Sequence, residues 1–258
     1  MIDAPGELVI VARPADPVAA GVRRVVAGLG GSVAWYSPGE LAALNVELTE
    51  AAFNVAQRTV RTVLWRVSPD MPLAESFCDG DRSFACAEVA ATWIAGLNPQ
   101  TTAVINRFDA DAWYSGLRPQ YWRDRLQAAG IGVTEIRVAD QPVPADWQWS
   151  PYTTGEPCEL PEQTARAVMA SVCHCAAPLV PTVALCGEVM TGCRDTNVQR
   201  AAAILDGWGV GLAALDSDAD GRVHRVRVLP VFDDPSLLER VTAVLGGRLY
   251  DHCAARRS

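Results

Sequence analysis

The segment Asp216-x-Asp218-x-Asp220-Gly221 places three carboxylates two residues apart ahead of a glycine. Hard oxygen ligands at that spacing copy the first half of an EF-hand calcium loop, which closes on a bidentate glutamate. Here the closing position is Arg227, and the flanking segments read as strands rather than helices. The segment therefore reads as a hairpin turn with solvated aspartates. A softer set follows from Cys173-His174-Cys175 with Cys186 and Cys193. Tetrahedral zinc requires four converging thiolate or imidazole ligands, and Cys173, Cys175, Cys186 and Cys193 are carried as a zinc alternative. The competing account is that these cysteines act as small apolar residues in a packed interior. Nucleophilic cysteine chemistry needs a histidine beside a thiolate. The histidines are His174, His224 and His252, and no pair is assigned; His224, just after the turn, is expected to face solvent.

Arg66, Asn106 and Arg107 fall at the ends of expected strands. In open α/β sheets the carboxyl ends of strands form the ligand crevice. An arginine there can clamp a carboxylate or phosphate, or pair with a nearby acid such as Asp109, Asp111 or one on a helix. Trp113, Trp122, Trp147 and Trp149 could form a stacking wall, but covering a core edge is the simpler role. Gly28-Leu29-Gly30-Gly31 closes a helix instead of opening one, so it is not read as a phosphate loop.

The elements that position these residues follow from periodicity. Strands are expected at 7–13, 32–36, 61–67, 102–106 and 132–138. Helices are expected at 17–29, 81–97 and 119–129. The stretch 140–161, rich in Pro, Trp and acids, is expected to be an irregular connection. A helix is then expected from Pro161 to about His174, a hairpin across 179–191 around Gly187, a helix at 197–208, strands at 210–216 and 223–229, and a last helix at 236–252. Strand alternating with helix predicts a parallel sheet under helical cover.

Composition limits the function. The chain has 258 residues, half of them apolar, and a formal net charge of -8. That acidity argues against nucleic-acid binding and against a basic membrane face. No apolar run spans a bilayer and no signal peptide is seen, so a cytoplasmic location is expected. All 22 basic residues are arginine. On the surface the two cations interchange; at a phosphate site they do not.

The order of segments resembles the ATP-grasp superfamily, in the branch of glutamate-ligase-like and ribosomal-peptide-maturase enzymes. The resemblance runs through the strand-helix-strand unit at 7–44, Leu64-Trp65-Arg66, the acidic helix with Glu88, Val104-Ile105-Asn106-Arg107, and Arg118-Pro119 leading to Gly130. It continues through Pro181 to Cys193, Leu205 to Asp216, and Arg225 to Pro230. It implies an α/β fold: an open parallel-sheet pre-ATP-grasp-like domain at 1–140, a connection at 141–160, and a smaller α+β domain at 161–258 resembling a truncated ATP-grasp module.

The resemblance also implies ATP and magnesium as cofactors, with Asp216 as a metal ligand. Arg66, Asn106, Arg107 and Arg118 are the substrate- or nucleotide-binding candidates, Arg118 standing where the family carries a lysine. The implied partners are a small carboxylate-bearing or peptide substrate, or another biosynthetic protein, and a second copy in a homodimer. Three departures stand out. The segment from Gly132 to Leu179 is short for a nucleotide-grasping subdomain, lysine is missing, and the family's Glu-x-Asn pair reads Arg227 and Leu229. The expectation is a divergent accessory or substrate-binding component of amide-forming cofactor or peptide biosynthesis. An active carboxylate–amine ligase working through an acyl phosphate, and a non-enzymatic metal- or subunit-binding protein, are the alternatives.

Overall fold

The computed structural model describes residues 7–49, 52–68, 71, 73–74, 77–97, 102–107, 113, 119–139, 147–151, 171–175 and 178–255. Two compact units emerge. One comprises 1–110 and 231–258, the other 111–230. This division differs from the expected one in moving 111–140 to the second unit and in giving the last helix to the first.

The first unit is built on a six-stranded sheet in the order β2-β1-β5-β4-β3, with β6 also paired to β5. Its strands are β1 (Glu7–Val11), β2 (Val33–Tyr36), β3 (Val46–Leu48), β4 (Phe53–Val55), β5 (Arg58–Trp65) and β6 (Ala103–Ile105). β1 pairs in parallel with β2 and β5, and β5 with β6. Parallel neighbours need long crossovers, supplied by α1 (Pro17–Gly28) between β1 and β2 and α2 (Asp79–Gly96) between β5 and β6. Leu8, Val9, Ile10 and Val11 on β1, and Val63, Leu64 and Trp65 on β5, are buried. Such continuous apolar runs are what a sheet covered on both faces requires.

β3 and β4 were not expected from the sequence. β4 turns into β5 through Ala56 and Gln57, both left-handed with φ of 50° and 65°, and Val55 pairs with Arg58. A two-residue turn of that hand normally announces itself by Asn-Gly or Asp-Gly, and this one does not.

α5 (Pro235–Ala255) returns to pack along α1 and against β1 and β5. Close approach depends on glycine in both helices. A Cβ on Gly21 would lie 2.6 Å from Thr242 Cγ2, and one on Gly246 would lie 2.8 Å from Val25 Cβ. That packing places the chain's C-terminal helix in the N-terminal unit.

The second unit carries a four-stranded antiparallel sheet in the order β11-β10-β12-β13 and a three-stranded one in the order β7-β9-β8. The strands are β7 (Ile136–Ala139), β8 (Trp147–Pro151), β9 (Ser171–Cys175), β10 (Val180–Leu185), β11 (Glu188–Thr191), β12 (Leu212–Ser217) and β13 (Val223–Arg227). α3 (Pro119–Ala128) packs on β13, and α4 (Thr196–Gly207) on β10, β11 and β12.

Two expectations are corrected here. The helix drawn to His174 gives way at 171–175 to β9, the central strand of its sheet. The connection at 140–161 contains β8, which pairs with β9. Short segments such as Ser171-Val-Cys-His-Cys175 take their structure from cross-strand partners rather than from local preference. The rest of both stretches, 140–146, 152–161 and 162–170, lies outside the described residues.

Candidate functional site

In the first unit, β1 leads to β2 on one side, while β5 and β6 lie on the other. The order therefore reverses between β1 and β5, and their carboxyl ends meet at the switch point where open sheets place ligands. Two of the expected side chains are there or nearby. Arg66 follows β5 directly, is 3% exposed, and donates its backbone N–H to Val11 O at 2.9 Å. Its Nε donates to Asp16 Oδ2 at 2.7 Å. Asp16 Oδ1 accepts from Ala19 N at 2.9 Å, capping α1. The pair is thus made with an acid at a helix start, one of the two roles the sequence left open for Arg66.

Asn106 is fully buried directly after β6, with a φ of 61°. Asparagine is among the few non-glycine residues that tolerate this conformation, so its backbone gives it a structural role. Arg107 beside it is half-buried. Arg118 lies outside the described residues.

The second unit brings Asp216 together with two arginines that the sequence had set beside it only as family positions. Asp216, 3% exposed, stands opposite Arg225 across β12 and β13. Its Oδ2 accepts from Arg225 Nε, and its Oδ1 accepts from Arg227 Nη2 at 3.2 Å. Arg225 and Arg227, two apart on a strand, share a face, which is why one carboxylate meets both.

Asp218 does what the turn reading expects: its Oδ1 accepts from Asp220 N at 3.0 Å and Arg222 N at 2.9 Å. An aspartate folding the backbone around itself is turn chemistry. His224, expected in solvent, is 9% exposed, and its Nδ1 lies 3.0 Å from Thr134 Oγ1. The physical reason is a parallel bridge between Val133 and Val223, which lays the chain after α3 along this edge. Asn197 fastens the same corner, accepting from Gly132 N at 2.8 Å and donating to Gly132 O at 2.9 Å and Gly221 O at 2.8 Å.

The cysteines are spread over different elements. Cys173 and Cys175 are on β9. Cys186 forms the left-handed turn between β10 and β11 with Gly187, and Cys193 follows β11 with its N–H donating to Thr182 Oγ1 at 2.8 Å. Among the described residues no group of three or more His, Cys, Asp or Glu side chains could hold a metal ion.

A pocket of about 540 Å³ that the sequence did not suggest is lined by Arg123, Asp124, Gln127, Val133, Thr134, Glu135 and Arg222. Arg123 Nη2 donates to Thr134 O at 2.7 Å. Burial pushes its guanidinium pKa down, against the opposing charge of Asp124. Trp122 is buried and stacks on Trp208, while Arg125 lies 4.5 Å over the Trp208 ring. Trp113 is buried as well. These tryptophans serve the core edge.

No protein-family model matches the chain, and neither does any curated protein. Solved structures do. The ATP-grasp ligase PsnB, complexed with precursor peptide PsnA2 and AMPPNP, superposes with a TM-score of 0.73 at 19% identity over 98% of this chain and 99% of that one. The chain has the ATP-grasp ligase fold. Macrocyclase MdnC from Microcystis aeruginosa MRC, bound with precursor peptide MdnA, shares that fold with a TM-score of 0.69 at 9% identity, over 95% of this chain and 99% of that one. A RiPP-associated ATP-grasp ligase from Chryseobacterium gregarium, in complex with ADP and a leader and core peptide, matches with a TM-score of 0.66 at 12% identity. That match covers 95% of this chain and 97% of that chain.

On the ATP-grasp fold the place expected to hold magnesium is Asp216 with residues 227 and 229. Magnesium asks for oxygen ligands in an octahedral shell. Both carboxylate oxygens of Asp216 are held by guanidinium groups, and Leu229 offers no side-chain oxygen. The residues present do not fit the metal.

Proposed function

We propose that this chain is a divergent ATP-grasp protein that binds a peptide or small carboxylate substrate in the cytoplasm. It would serve as an accessory or substrate-binding component of a pathway forming amide bonds. The observation that carries this reading is the engagement of both Asp216 oxygens by Arg225 and Arg227. A metal cation in the same place meets two positive charges and must displace them before it meets a carboxylate. The peptides named in the structures of PsnB, MdnC and the Chryseobacterium ligase support a peptide as the substrate class.

The near full-length match to PsnB favours a second reading, an active carboxylate–amine ligase passing through an acyl phosphate. One experiment separates them. The purified chain is incubated with ATP, magnesium and an acidic peptide, and both peptide binding and ADP release are followed. Binding without ADP release is the expected outcome. Magnesium-dependent ADP release coupled to amide formation would overturn the accessory reading in favour of the ligase.

A further inference from the structure

We propose that the pocket beside α3 binds a small zwitterion, carrying one carboxylate and one ammonium group as a free amino acid or a dipeptide does. Its volume of about 540 Å³ falls within the range of small-molecule sites. All of its lining residues belong to the second unit. Arg225 and Arg227, which hold Asp216, do not line it. Binding here is therefore independent of whether the chain is an accessory protein or a ligase.

The walls are fixed before any ligand arrives. Arg123, 5% exposed, ties α3 to the segment that follows it, donating Nε at 3.3 Å and Nη2 at 2.7 Å to Thr134 O. Thr134 Oγ1 is hydrogen-bonded to His224, and Val133 bridges to Val223. The Arg222 backbone is pinned at both of its polar groups: its N–H donates to Asp218 Oδ1 at 2.9 Å, and its C=O accepts from Asp218 N at 3.0 Å. A helix, the segment after it and a distant turn are locked together, and such preorganisation lowers the cost of binding.

The polar groups left over carry both signs. A guanidinium has five N–H donors. Arg123 uses one from Nε, one from Nη2 and one from Nη1, the last to Asp124 Oδ1. One N–H on each Nη is therefore unused among the described residues. The carboxylate opposing this buried charge has 61% of its side chain exposed, and burial pushes the guanidinium pKa down. A buried charge so weakly countered is stabilised by an arriving anion. The Arg222 guanidinium makes no hydrogen bond or ion pair among the described residues. The Gln127 amide, one turn beyond Arg123 on α3, is likewise unengaged among them. Two guanidinium groups and an amide donor suit a carboxylate.

The same pocket holds acceptors. Asp124 Oδ2 has no hydrogen bond among the described residues, and Glu135 adds a second carboxylate to the lining. An anion alone meets these two carboxylates, and a cation alone meets the two guanidinium groups. A ligand bearing both charges complements both.

The test follows the heat of binding and the melting temperature of the full chain with L-glutamine, whose side chain adds no third charge, and with L-alanyl-L-glutamine. At least one is expected to bind, and the tighter of the two assigns a free amino acid or a dipeptide. N-acetylation of the responding probe removes its ammonium, and amidation removes its carboxylate. Each change is expected to weaken binding about tenfold.

Arg222 and Asp124 are both exposed, so their variants are expected to fold. Arg222→Gln and Asp124→Asn are each expected to weaken the responding probe about tenfold. The proposal is overturned if neither probe binds, if either blocked derivative binds as tightly as its parent, or if either variant binds as the wild type does.

Discussion

Asp16 joins the ends of two parallel strands, accepting the α1 backbone N–H of Ala19 on one oxygen and Arg66 Nε on the other at 2.7 Å. Losing a hydrogen bond to a charged group costs about 1.5–3 kcal/mol, and losing a helix cap about 1 kcal/mol. Asp16→Ala loses both the pair and the helix cap and is expected to cost their sum. Asp16→Asn keeps an oxygen for the cap and should lose less. Urea denaturation of the two variants checks the order, and equal losses would show that the ion pair alone matters.

The β4–β5 hairpin turns through Ala56 and Gln57, both left-handed. Left-handed backbone costs ordinary residues roughly 1–2 kcal/mol each, and much less for Asn or Gly. The double substitution Ala56→Asn, Gln57→Gly is expected to stabilise the protein by about 1 kcal/mol, seen as a higher denaturation midpoint with an unchanged slope. No gain would mean that the turn tolerates its strain through contacts elsewhere.

Gly246 meets Val25 where α5 crosses α1. Gly246→Val inserts a branched side chain into a space already filled, and overpacking costs about 1–3 kcal/mol. Since α5 docks on β1 and β5 as well, amide exchange should quicken in both α1 and α5. Faster exchange confined to α5 would argue that the helices are not coupled there.

Glu40 accepts hydrogen bonds from Ser37 N and Oγ, both at 2.7 Å. The bond from the Ser37 backbone N–H, then that from its hydroxyl, hold the Glu40 carboxyl below its ordinary pKa. A lowered folded-state pKa stabilises the fold above the ordinary glutamate range, and the benefit fades as pH falls through the lowered value. The site is exposed, so the effect is on the order of 0.5 kcal/mol. The wild type should exceed Glu40→Gln in stability at pH 7 and lose that advantage as the pH drops into the lowered range. A difference that persists unchanged in acid would mean that the charge is not responsible.

The sequence by itself determined the elements whose periodicity is strong. The β1–α1–β2 unit, the buried run of β5, the hairpin around Gly187 and the Asp218 turn all follow from local patterns that their tertiary setting reinforces. The ATP-grasp order of the segments was likewise legible, because order survives where identity does not. The tertiary structure decided what depends on distant partners. β9 became a strand because β7 and β8 pair with it, and β4 turned without a glycine. α5 joined the first unit because Gly21 and Gly246 let it reach α1.

The same holds at the sites. Sequence showed an arginine where the family has a carboxylate, but not that Asp216 would meet Arg225 and Arg227 at once. It placed Arg66 at a strand end, but left its partner among several acids. Antiparallel register fixed the first contact, and the meeting of β1 and β5 fixed the second. The second joins residues 50 positions apart in the chain; the first lies within one hairpin, yet it too is set by the pairing register between strands rather than by either strand alone.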